Sequence, residues 1–143
     1  VRFGPADYRE AANERLQEAN LALQVRSLVG AHLNSGLAVE CMLRAFFTRI
    51  HPEFEHRHDL VLLSGPFLRH MSNARREEVR NAIAEISVLW LNNHRYCSSR
   101  KLRSHFNRIG RYGKETDMLY ANGSRMIELA TTVVQYGEAR WNT

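Results

Sequence analysis

A chain of 143 residues, 44% hydrophobic and 24% charged, has the make-up of one globular domain with a real core and not that of a disordered polymer. No apolar run approaches the roughly 18 residues that a membrane-spanning helix needs, and the N-terminal VRFGPADYRE lacks the apolar stretch of a secretory leader, so a cytoplasmic protein without membrane contact is expected. The net charge of +5 is concentrated: Arg95 to Lys114 holds seven of the 20 basic residues and no Asp or Glu, which leaves 13 basic against 15 acidic residues elsewhere.

Pro5 suits the first turn of the first predicted helix. Tyr8, Ala12, Leu16, Ala19 and Leu23 recur at steps of three or four, with Arg9, Glu10, Glu14, Arg15 and Glu18 opposite, the pattern of a surface helix with one buried stripe. The segment Ser27 to Ile50 differs in kind. Leu28, Leu33, Leu37, Val39, Met42, Leu43, Phe46, Phe47 and Ile50 cover most of its circumference, which places it at the centre of a bundle. Glu40 and Arg44 stand four apart in the order that favours an ion pair, and His32 reads as a partly buried packing residue.

Pro52 ends that helix, and HPEFEHRHDL follows. His51, His56, His58 and Asp59 invite a metal site, but nothing else in the chain completes one, so no metal is expected. Asp59 reads instead as the cap of a short helix through LVLLSGPFLRH. A third long helix spans about 73–90, with Val79, Ile83, Ile86 and Trp90 on one stripe and Ala82 and Leu89 beside it. Ser98 or Ser99 caps a short helix through Arg108, which Gly110 and Gly113 break. The last helix runs from Thr116 or Asp117 to about Trp141, with Met126, Leu129, Ala130, Val133 and Tyr136 inward. The spacing of Cys41 and Cys97 suggests neither a disulfide framework nor a zinc site. With no strand pattern, repeat or linker, the expectation is a single all-α domain over residues 1–143, a compact bundle of four or five helices.

The basic segment carries the functional signal. An arginine and a histidine, Arg100 and His105, are the minimum set for cutting RNA without a metal, because the ribose 2′-hydroxyl is itself the nucleophile. A histidine titrates near neutrality and can move the proton; an arginine holds the phosphate and the charge that develops on it. On an ideal helix the two lie about 140° apart, so convergence needs a helix that begins between them or a second subunit. Arg103 and Arg108 add charge nearby, and Tyr96 and Phe106 offer rings on which bases stack. The same segment also reads as a solvated cationic face with no ligand.

The stretch SGLAVECMLRAFF, Ser35 to Phe47, resembles the central helix of the HEPN superfamily (higher eukaryotes and prokaryotes nucleotide-binding domains). The loop ending in His58, Asp59 and Leu60 and the stretch WLNNHRY, Trp90 to Tyr96, resemble two further features of the same branch, and the likeness runs over roughly residues 6 to 142. It implies a HEPN-like bundle, commonly dimeric, working on or near RNA. RKLRSH, Arg100 to His105, matches the family's R-x(4–6)-H motif. By that resemblance Arg100 holds the scissile phosphate and His105 is the general base or acid of an endoribonuclease. Such an enzyme uses neither metal nor cofactor, leaves a 2′,3′-cyclic phosphate, and belongs to a toxin or defence system. Lys101 stands where many catalytic members have Asn or Asp, and Asn107 where some have Tyr. Other members with this central helix are non-catalytic and resemble partners of nucleotidyltransferases or nucleotide binders; there Arg95 and Tyr96 are the residues of interest. Simple packing of Trp90 and Tyr96 between the third and last helices is the plainer reading. The expected interface is thus Arg95, Tyr96, Lys101, Arg103 and Arg108. The expected partners are RNA or a nucleotide, a second copy of the chain, and a nucleotidyltransferase or an antitoxin.

Overall fold

Among the described residues of a computed structural model, which are 2–53, 58–113 and 116–143, the chain forms six α-helices, one 3-10 turn and no strand. The helices are α1 (Pro5–Gln24), α2 (Leu28–Ile50), α3 (Leu60–Arg69), α4 (Asn73–Leu89), α5 (Ser99–Arg108) and α6 (Met118–Arg140), with the 3-10 turn at Asn92–Tyr96. A bundle of four or five helices was expected and six form, the two short segments read between the long ones both being helices with side-chain caps. The Asp59 carboxylate accepts from the Leu62 N–H at 3.2 Å, and the Ser98 hydroxyl accepts from the Lys101 N–H at 3.2 Å. Each bond satisfies one of the donors that a helix start leaves open. None of the helices is long and apolar enough to cross a membrane.

The apolar breadth of α2 decides the architecture. Thirteen of its 23 residues are buried, from Ala31 to Thr48, and α1, α3 and α6 pack around it. A three-residue turn folds α1 back along α2, with Arg26 in the left-handed region at φ 57°. That conformation is unusual for a residue with a side chain. Here the side chain is held: its guanidinium pairs with Asp117 at 2.9 Å and lies 4.9 Å from the Tyr120 ring. Close approach of α4's end to α2 depends on a missing side chain. The indole of buried Trp90 lies against Gly36, where a Cβ would overlap its Nε1, Cδ1 and Cδ2 atoms.

The two ends of α2 are packed in different ways. Phe46, near its C-terminus, meets Phe67 edge-on at 5.0 Å and Trp141 edge-on at 5.4 Å. Midway, Glu40 and Arg44 form the expected pair at 3.3 Å, but it is buried, and His58 joins it through Nδ1 at 2.8 Å from Glu40 Oε1. Burial of such a pair costs desolvation unless further hydrogen bonds are made, and His58 supplies one. His58, Asp59 and Leu60 thus anchor the start of α3 by hydrogen bond, cap and burial in turn. Of the histidines noted there for a metal, His56 lies outside the described residues. Among those described, no group of three or more His, Cys, Asp or Glu residues is placed to hold a metal ion. At the N-terminal end of α2, around His32, the core turns polar.

Candidate nucleic-acid interface

Helix α5 has ten residues, SRKLRSHFNR, and only three of them are buried: Leu102, His105 and Phe106. At 100° per residue these three fall within an arc of about 100°. Arg103, Asn107, Arg100, Ser104, Arg108 and Lys101 fill the next arc, of about 160°, and all are exposed. The sequence thus dictates a helix that docks by one narrow stripe and turns four cations to solvent. Its end is equally local. Gly110 adopts φ 62°, the Gly110 N–H reaches the Asn107 carbonyl at 3.2 Å and the Arg111 N–H reaches the Phe106 carbonyl at 3.1 Å. That pair of bonds is the usual glycine-terminated helix end.

The cations differ in what they face. Arg111 is held by Glu85 at 2.6 Å, and Glu85 is shared with Arg125 at 2.7 Å. The Arg125 hydrogen bond is the first reason that the Glu85 carboxyl titrates below its usual range, and burial opposes it. Among the described residues, no carboxylate lies within ion-pair distance of Arg95, Arg100, Lys101, Arg103 or Arg108. Arg95 instead lies 5.2 Å from the ring of Tyr96, which is 79% exposed. Lys114, the last cation of the basic segment, is outside the described residues.

The expected catalytic pair is not brought together. Arg100 points outward and His105 inward, as their angular offset requires, and no hydrogen bond joins them. The arginine that meets His105 is instead Arg108, whose Nη2 is 3.5 Å from His105 Nδ1. Two further expectations fail for reasons of packing. Phe106 is fully buried, so its ring is closed to bases: it meets His32 edge-on at 5.8 Å and Tyr112 edge-on at 5.5 Å. Tyr96 does not pack between α4 and α6, whereas Trp90 is buried, and against α2.

Beneath α5 lies a group that residue spacing gave no sign of. His32 from α2, His94 from the 3-10 turn and His105 from α5 lie ring against ring, the first two tilted with centroids 5.0 Å apart and the last two edge-on at 4.7 Å. Their partners fix their protons. The Leu91 N–H can only donate, and it does so to His94 Nδ1 at 3.1 Å, so that nitrogen is an acceptor. His32 Nε2, 2.9 Å from the same atom, must then carry a proton, and His32 Nδ1 accepts from Asn122 Nδ2 at 2.9 Å. His105 Nε2–H donates to the Val88 carbonyl at 3.3 Å. His32 is thereby paired at both ring nitrogens as the neutral form, while both of the hydrogen bonds to His94 fall on its Nδ1. Burial, then His94 and His105, push His32 down to about 3, and burial, then His105 and Arg108, push His94 down to about 4. His32, expected to be partly buried, is wholly so. His32, His94 and Asn122 lie up to 90 residues apart in the chain and share no motif, so only the fold reveals them.

No family model, curated protein or solved structure matches this chain.

The arrangement can therefore do one thing directly. It presents exposed cationic side chains and an exposed aromatic ring on a turn and helix anchored from below by buried imidazole rings.

Proposed function

We propose that this chain is an RNA-directed module of HEPN type that holds RNA by its phosphates on the outward face of α5. The observation that carries the reading is the set of exposed cations Arg95, Arg100, Lys101, Arg103 and Arg108, which have no carboxylate partner among the described residues. Cations on a solvated surface are ordinarily interleaved with acids, and none of the acids among the described residues is paired with these five. A polyanion is the ligand that such a surface attracts. The resemblance of Ser35 to Phe47, His58 to Leu60 and Trp90 to Tyr96 to HEPN features makes RNA the polyanion of choice. Binding is preferred to cutting because Arg100 and His105 face opposite ways.

Fluorescence anisotropy with a labelled RNA, across a salt series, tests this. Five phosphate contacts on a single strand predict that log K falls against log salt with a slope of about −3.5. That is a loss of about 100-fold between about 50 and 200 mM salt. Arg100→Ala with Arg103→Ala lowers the slope by about 1.4. A slope near zero, or one unchanged in the double variant, removes the reading.

A further inference from the structure

Tyr96 is a side chain whose position no packing accounts for. It is 79% exposed, its hydroxyl has no hydrogen bond among the described residues, and its one ring contact is the Arg95 guanidinium. Yet the backbone that carries it is firmly held. The 3-10 turn is closed by the His94 N–H to the Leu91 carbonyl at 3.0 Å and by the Cys97 N–H to the His94 carbonyl at 2.8 Å. The middle of the turn, His94, is only 3% exposed and is locked from below by His32 and Leu91. An exposed ring on a rigid mount is set up for contact with something outside the molecule.

The same anchor sets the distance from that ring to the cations. His94 belongs to the turn and His105 to α5, and their rings meet edge-on at 4.7 Å. Only Cys97 and Ser98 separate Tyr96 from the first residue of α5. A flat aromatic face, an arginine beside it and a row of helix-borne cations are therefore fixed in one frame.

We infer that Tyr96 is a seat for one unpaired base, so that the RNA held on α5 is single-stranded. This rests on the reading that α5 grips RNA phosphates, and it adds what the phosphates alone do not specify. A base inside a duplex is stacked on both sides and offers Tyr96 no free face. In a single strand the base swings onto the ring while the flanking phosphates reach Arg95 and Arg100. Stacking of this kind is tolerant of sequence, and its loss costs a measurable share of affinity.

The test compares three ligands on the full chain: a labelled oligouridylate, a blunt RNA duplex of equal length, and inorganic polyphosphate, which has the charge without the bases. The parent protein is expected to prefer the single strand to the duplex. Tyr96→Ala is expected to weaken oligouridylate binding by about 5- to 100-fold, with the salt slope kept, and to leave polyphosphate binding as it was. Tyr96→Trp, with a larger face, should bind oligouridylate at least as tightly as the parent. Tyr96 is on the surface, so none of these changes threatens folding. If Tyr96→Ala binds oligouridylate like the parent, or if it loses polyphosphate equally, the base seat is wrong while phosphate binding by α5 stands. If the parent binds none of the three with a salt-dependent affinity, both readings fall together.

Discussion

Acid should unfold this protein earlier than its carboxylates alone would require. His32 and His94 are neutral in the fold, at about 3 and about 4, whereas an unfolded histidine titrates near 6.5. Between those limits the unfolded chain binds more protons than the folded one, so stability is fully present above about 6.5 and is lost as pH falls below it. The loss per ring at pH 5 is RT ln(1 + 10^1.5), about 2 kcal/mol, or about 4 kcal/mol for both. A domain of ordinary stability has only about 5–15 kcal/mol to lose. Glu85 and Glu138, held down by their hydrogen bonds to Arg125 and Arg9, give up their contribution only at lower pH, below the ordinary glutamate range. Urea unfolding followed by far-ultraviolet circular dichroism at pH 7 and pH 5 measures the difference. His32→Gln keeps a donor toward His94 and an acceptor for Asn122 while removing one titrating ring, and is expected to halve the pH dependence. A change below about 1 kcal/mol between the two pH values, or an unaltered dependence in His32→Gln, refutes the neutral histidine stack.

Other perturbations read other parts of the molecule. Gly36→Ala drives a methyl into the Trp90 indole and is expected to cost about 3 kcal/mol or more, seen as a lower urea midpoint with the slope kept. Glu85→Gln releases Arg111 beside α5, so RNA binding should gain about 0.7 in salt slope while the fold loses only about 1 kcal/mol. Total RNA incubated in EDTA is expected to remain equally intact with the parent, Arg100→Ala and His105→Ala. Cyclic phosphate ends made by the parent and absent from both variants would reinstate cleavage.

The long helices were legible because their apolar residues repeat with the helical period over 17 to 23 positions, and the starts of α3, α5 and α6 were legible, at Asp59 outright and to within one residue at Ser98 and Asp117, because a single side chain can make a cap. Helix α4 was read one residue too long: Trp90 belongs to its apolar stripe, yet its backbone is already extended at φ −118° and ψ 125°, and periodicity is blind to that step. The basic face was visible as a charge run, and the two sides of α5 follow from its spacing. What could not be read was which side of Tyr96 faced the core, since one aromatic in a short turn has no period. The hydrogen-bonded group of His32, His94 and Asn122 was out of reach for a related reason. Its members come from three elements, and their meeting is a product of the tertiary fold alone.

One consequence of α5 concerns how such a protein can change over generations. The residues that dock the helix, Leu102, His105 and Phe106, and the outward Arg100, Lys101 and Arg103 alternate along the same ten positions without sharing a task. Exchanges at Arg100, Lys101 or Arg103 leave the bundle's interior untouched, so the character of the outward face is free to drift on an unchanged scaffold. Exchanges at the other three are paid for in folding, whatever the ligand. A library varied only on the outward positions should therefore be almost entirely folded, and its members should differ in what they hold.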